Sequence, residues 1–199
     1  MGLGPGRRRN LLEVIPADCP GAAPVHPEDR VKVPYAHWDF DSTTTRLPEF
    51  AGPGLGRESN RVVVELEADD GASGVLYALG GIGGGLTLYM DKGQLVYEYN
   101  MMMIERYIGR SAAPVGSGKH RIEVDTSIAK PGGPADVAIL VDGQEVMRVA
   151  VKRTVAGAFS ASETLDVGVD LGSPVSFNYF DRRPFGFSGQ IETVTVDLL

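Results

Sequence analysis

At 199 residues with a formal net charge of -7, the chain is long enough for one domain with a sizeable core, burying roughly 70% of the surface it exposes unfolded. Lys and Arg (19) are outnumbered by Asp and Glu (26), and the one basic run, Arg7-Arg8-Arg9, sits near the terminus, which excludes a phosphate-tracking nucleic-acid surface. A single cysteine, Cys19, excludes an internal disulfide framework, and no run reaches the roughly 18 apolar residues of a membrane helix.

The segment Leu11 to Ile15 is broken by Glu13 and closed by Pro16, too short for a signal-peptide core, so a cytoplasmic location is the default expectation. Eight of the 13 prolines fall before residue 59. Proline fixes φ and removes a ladder donor, so residues 1–30 read as an irregular arm ahead of one domain spanning 31–199. Within that domain, 31–58 form a leading strand and loop, with Tyr35, Trp38 and Phe40 as the strand's anchors, and 59–199 carry the main strands.

From Asn60 the period becomes two. Val62, Val64, Leu66 and Ala68 alternate with Val63, Glu65 and Glu67, the pattern of a half-buried strand. Asp69-Asp70-Gly71 turns the chain into a strand over Val75 to Leu79, and Leu86, Leu88 and Met90 share one face of the next. Asp91-Lys92-Gly93 predicts a three-residue hairpin loop, with Leu95, Tyr97 and Tyr99 on the core face of the returning strand. By the same alternation Tyr89 points away from that core, toward a ligand. Arg121 to Asp125 alternates again. Asp142-Gly143 predicts a type I′ turn within Val137 to Val151, setting Ile139 opposite Val146. In Gln190 to Leu198, Ile191 is out of phase with Val194, Val196 and Leu198, which predicts a bulge near Glu192. Glycine-punctuated strands without helical spacing define an all-β chain folded as an antiparallel sandwich of jelly-roll, concanavalin A-like type.

Motifs of catalysis are missing. His26, His37 and His120 have no partner at metal-ligand spacing, and Cys19 has no basic neighbour to lower its pKa. The glycines of 80–85 lack the Gly-Lys-Ser/Thr of a phosphate loop and precede a strand, so they mark a bend or a close backbone approach. Asp166, Asp170 and Asp181 are oxygen ligands that calcium accepts in principle, but they lack the EF-hand spacing, and no cofactor or metal is expected. Glu105-Arg106 reads as half of an ordinary ion pair.

A set of short segments, ordered over residues 45–199, resembles the C-terminal region of bacterial arylsulfatases. They include Thr45-Arg46-Leu47-Pro48-Glu49, Leu95-Val96-Tyr97-Glu98-Tyr99-Asn100, Glu105-Arg106-Tyr107 and Val141-Asp142-Gly143, then Asp166-Val167-Gly168-Val169-Asp170-Leu171-Gly172-Ser173-Pro174-Val175 and Pro184-Phe185-Gly186-Phe187-Ser188-Gly189. The resemblance implies a concanavalin A-like sandwich appended to a sulfatase catalytic domain. That domain carries a Cys/Ser-x-Pro-x-Arg motif and calcium ligands. Here Cys19 is followed by Pro20-Gly21-Ala22-Ala23, so no catalytic residue carries over, and Ile82-Gly83-Gly84-Gly85 stands where the family often has an aromatic and a basic residue. The expectation is a non-catalytic accessory domain that packs on a sulfatase domain or another protein through Met101, Met102, Met103 and Ile104. The alternative is a free-standing carbohydrate-binding module with Tyr89 and Trp38 facing the ligand. Neither nucleic acid nor membrane is an expected partner.

Overall fold

The computed structural model describes residues 35–199; the arm expected over 1–30, with Cys19 and His26, lies outside them. Among the described residues twelve strands form two antiparallel six-stranded sheets. They are β1 (His37–Phe40), β2 (Leu47–Pro48), β3 (Asn60–Ala68), β4 (Gly74–Gly81), β5 (Gly84–Asp91) and β6 (Gln94–Met101), then β7 (Glu105–Arg110), β8 (Gly118–Ile128), β9 (Ala135–Val141), β10 (Gln144–Val151), β11 (Thr164–Val167) and β12 (Gln190–Leu198). One sheet runs β1-β12-β3-β8-β9-β10 and the other β2-β11-β4-β5-β6-β7. The faces assigned by alternation meet between them: Val62, Val64 and Leu66 with Leu86, Leu88, Met90, Leu95, Tyr97 and Tyr99 in one core, joined by Val194 and Val196. Burying such side chains at about 25 cal/mol per Å² is what holds two sheets face to face. The Tyr99 hydroxyl, deep in this core, donates to Gly56 O at 2.8 Å and accepts from Val155 N at 2.7 Å, so no polar atom of it is left bare.

Turn chemistry sets the register. The bulge expected near Glu192 is present, between Ile191 and Thr193. Asp142 (φ 51°) and Gly143 (φ 81°) form the type I′ turn, but a bulge at Val146 pairs Ile139 with Met147 instead. Lys92 and Gly93 form a two-residue loop with Asp91 paired to Gln94, not a three-residue one. Tyr35 is exposed and is no anchor, whereas Trp38 and Phe40 pack half-buried on the core. At Gly143 an added Cβ meets nothing within 4 Å, so its cost lies in the backbone alone. Gly143→Val is expected to destabilise by about 1 kcal/mol or more in urea denaturation, because a β-branched residue resists positive φ.

The glycines of 80–85 mark a close approach, as expected. The β4–β5 hairpin pairs Gly81 with Gly84, and a Cβ on Gly80 would fall 2.8 Å from Gly85 Cα. The outer face of this second sheet is not open across its width. Val75, Ala78, Tyr89 and Val96 point outward from β4, β5 and β6 and form a second core with Val175, Tyr179 and Phe185. Those three come from the 175–185 segment, which includes two short 3₁₀ turns over Phe177–Arg182 meeting at Tyr179.

Candidate functional site

Tyr89, expected to be exposed, is 0% exposed. Its ring meets Tyr179 edge-on at 5.0 Å, and its hydroxyl accepts from Asn178 Nδ2 at 3.1 Å. Alternation gave its direction correctly; the later segment folding over the sheet buries it. The sequence signal for that cover is that Val75, Ala78, Tyr89 and Val96 add an apolar patch to the outward face of β4, β5 and the start of β6, the mark of strands covered twice. Trp38 lies half-buried on the other sheet, opposite Val196. The two expected ligand-facing aromatics are therefore not brought together.

What the cover leaves open is the outward row of β7. The register places Tyr89, Val96 and Arg110 in one row across β5, β6 and β7, then Thr87, Glu98 and Ile108, then Gly85, Asn100 and Arg106. The covering segment ends over β6, where Asn100 Nδ2 donates to Val175 O at 3.2 Å and to Ile82 O at 2.9 Å. Beyond that rim Ile108 is 44% exposed and Phe177 43%.

At the rim Glu98 is fully buried. Its Oε1 accepts from Arg106 Nε at 2.6 Å, and Oε2 has no partner among the described residues. Arg106 makes one further contact, Nη2 to Ser176 Oγ at 3.5 Å, and its guanidinium carbon lies 4.9 Å from the centre of the Phe177 ring. An ion pair gripped by the Nε edge leaves terminal guanidinium donors for another molecule. Arg110 is held only loosely, at 3.4 Å from both Asp91 and Gln94, while Arg182 takes Asp91 at 2.9 Å. The surface thus combines a buried carboxylate, two guanidiniums with spare donors, an exposed aromatic ring and an aliphatic side chain. Glu105 pairs with Arg153 at 2.6 Å and bonds the Tyr107 hydroxyl, so Glu105 and Arg106 belong to different pairs.

Other surfaces offer less. The outer face of the first sheet is a lattice of satisfied ion pairs, with Arg61 on Asp125, Arg121 on Glu65, Lys119 on Glu192 and Arg148 on Glu145. Such exposed pairs contribute about 0–1 kcal/mol each, and among the described residues no aromatic ring stands beside them. A shallow groove of about 310 Å³ between Ser111–Val115 and the β9–β10 hairpin is apolar apart from Glu145 and Ser111. Asp166 accepts from Arg46 N at 2.6 Å, Thr164 Oγ1 at 3.1 Å and Leu171 N at 3.3 Å, and among the described residues no cluster of three His, Cys, Asp or Glu is placed to hold a metal. Among them, too, no helix is long and apolar enough to cross a membrane.

Met101 is half-buried against the main core, while Met102 and Met103 form the β6–β7 turn, both at positive φ (54° and 61°), and Ile104 is 72% exposed. The turn is held by Met103 N donating to Asn100 Oδ1 at 3.0 Å.

The architecture is an antiparallel β-sandwich of jelly-roll type. No family model matches the chain, and no curated protein does. Among solved structures it is similar to the Ruminococcus gnavus IT-sialidase CBM40 bound to α2,3-sialyllactose, with a TM-score of 0.55 and 14% identity over 83% of this chain and 91% of that one. The same module bound to α2,6-sialyllactose gives 0.56 and 14%, over 81% and 93%. A leech intramolecular trans-sialidase matches at 0.53 and 10% over 83% of this chain and 26% of its own. At such identities the likeness is one of fold.

Proposed function

We propose that this chain is a non-catalytic carbohydrate-binding domain that takes an acidic glycan across β7, on the surface of Glu98, Arg106, Ile108, Arg110 and Phe177. The observation that carries this reading is the buried Glu98 carboxylate holding Arg106 by one edge beside an exposed ring. A pyranose offers an apolar face to an aromatic side chain and hydroxyls to polar groups. A sugar carboxylate offers two oxygens to a guanidinium with unused donors. The sialyllactose bound to the Ruminococcus gnavus module supports the same ligand class. Phe177 is the cleanest residue to test, being exposed and outside both cores. Phe177→Ala is expected to weaken α2,3-sialyllactose binding about tenfold, equivalent to about 1.4 kcal/mol, with a thermal midpoint close to that of the parent. Unchanged affinity in isothermal titration would remove Phe177 from the site.

A second reading, docking on a sulfatase catalytic domain through the Met101–Ile104 turn, is supported by the sequence resemblance and by the exposure of Met102, Met103 and Ile104. In both readings the chain is non-catalytic; in the first it is a free-standing module and in the second an accessory domain.

A further inference from the structure

The 175–185 segment that carries Ser176, Phe177 and Asn178 lies on the sheet through the second core and its bonds to Tyr89, Asn100 and Val75. One buried carboxylate in the loop after β11 gathers it from end to end. Asp170 is 1% exposed. Its Oδ2 accepts from Val175 N at 2.8 Å and from the Tyr179 hydroxyl, and its own amide donates to Pro184 O at 3.0 Å. One residue thereby holds the start, the middle and the end of the segment. Its Oδ1 has no partner among the described residues. The titratable groups that act on it are the Tyr179 phenol and two further carboxylates, Asp166 and Glu163. Asp166 is occupied by the donors named above, and Glu163 accepts from Ser173 Oγ at 2.5 Å. A buried anion with one bare oxygen and like charges beside it is costly to keep ionised.

We propose that Asp170 is a positioning residue for the glycan surface, a latch that tightens the 175–185 segment onto the sheet when it takes up a proton and loosens it when it loses one. The latch follows from the structure of the segment; its consequence for glycans rests on the function proposed above. Burial pushes the Asp170 carboxyl up to about 6 from an ordinary 3.8, against the lowering effect of its two donors. When the segment lifts, the carboxyl regains water and its ordinary value. The seated form therefore binds the proton more tightly, so seating is strongest at low pH and weakens as pH rises through about 6. Between about pH 7.5 and about pH 5 the linkage makes lifting about tenfold rarer.

Hydrogen exchange of the 175–182 amides in the intact chain, corrected for intrinsic rates and run in EDTA, measures this opening directly. The parent is expected to show about tenfold fewer openings at the lower pH. Asp170→Asn keeps an acceptor for Val175 N and the Tyr179 hydroxyl but carries no charge. It is expected to be protected at both pH values, without the slope. A flat parent profile overturns the latch, as does a slope that survives in Asp170→Asn. An opening that responds to added calcium in place of protons would make Oδ1 a cation ligand and also overturn it. Titration with α2,3-sialyllactose in the same buffers separates the two ideas. Binding without the exchange slope sinks the latch alone, and the slope without binding sinks the glycan reading alone.

Discussion

Arg106→Ala is expected to destabilise the domain by about 3–5 kcal/mol, a large effect for a residue on a surface rim. The cost lies mainly in what it strands. Glu98 has no exposed side-chain surface, and among the described residues its one donor is Arg106 Nε. Removing the guanidinium leaves a carboxylate between Thr87 and Ile108 with both oxygens bare, and taking such a charge from water without a partner costs several kcal/mol. Replacing both members, Glu98→Leu with Arg106→Met, removes the charge together with its counter-ion and fills the space with apolar atoms beside Val96 and Ile108. That double variant is expected to lie within about 2 kcal/mol of the parent, so a double-mutant cycle in urea should show strong coupling. It is also expected to have lost sialyllactose binding while folded. An Arg106→Ala cost below about 1 kcal/mol would mean that water already compensates Glu98, against its burial. Unchanged binding by the double variant would place any glycan elsewhere.

Much of the fold is legible in residue order because its signals are local. Period two assigned the inner faces of β3, β5, β6 and β12, since a strand with one face in the core must alternate there. The misphased Ile191 gave the β12 bulge, and Asp-Gly gave its turn. Errors arose where geometry departed from the usual turn residues. Lys92 takes positive φ and shortens the expected three-residue loop to two, and the Val146 bulge has no glycine to announce it. The site was the least legible part. Glu98 and Arg106 sit in neighbouring strands, and alternation shows that both point outward. That Glu98 is buried depends on residues 175–178 arriving about 80 positions later, a contact no local pattern encodes. The same non-local cover buried Tyr89.

Where that cover crosses the sheet, Gly74→Ala is expected to be the most destabilising single-methyl change in the domain, at about 3 kcal/mol or more. Gly74 opens β4 at φ 122°, a backbone conformation that side chains resist. The strand there forms a parallel bridge from Val75 to Gly186, and Val75 N donates to Phe185 O at 2.9 Å. A Cβ on Gly74 would lie 2.5 Å from the Gly186 carbonyl carbon and nearer still to its oxygen and to Phe187 Cα. These are backbone atoms, so no side-chain rotation relieves the clash, and the returning chain must move away from β4. That movement would pull Phe185 from its packing with Tyr179 and Tyr89, whose ring centres lie 5.2 and 6.1 Å from its own. Gly71→Ala is the matched control, because Gly71 also has positive φ (74°) but its added Cβ meets nothing within 4 Å. It should cost only about 1 kcal/mol, the backbone contribution alone. Denaturant midpoints of the two variants measure the difference. Equal midpoints would show that the 185–187 chain yields to the methyl group, and that the close approach at Gly74 does not hold the second core in place.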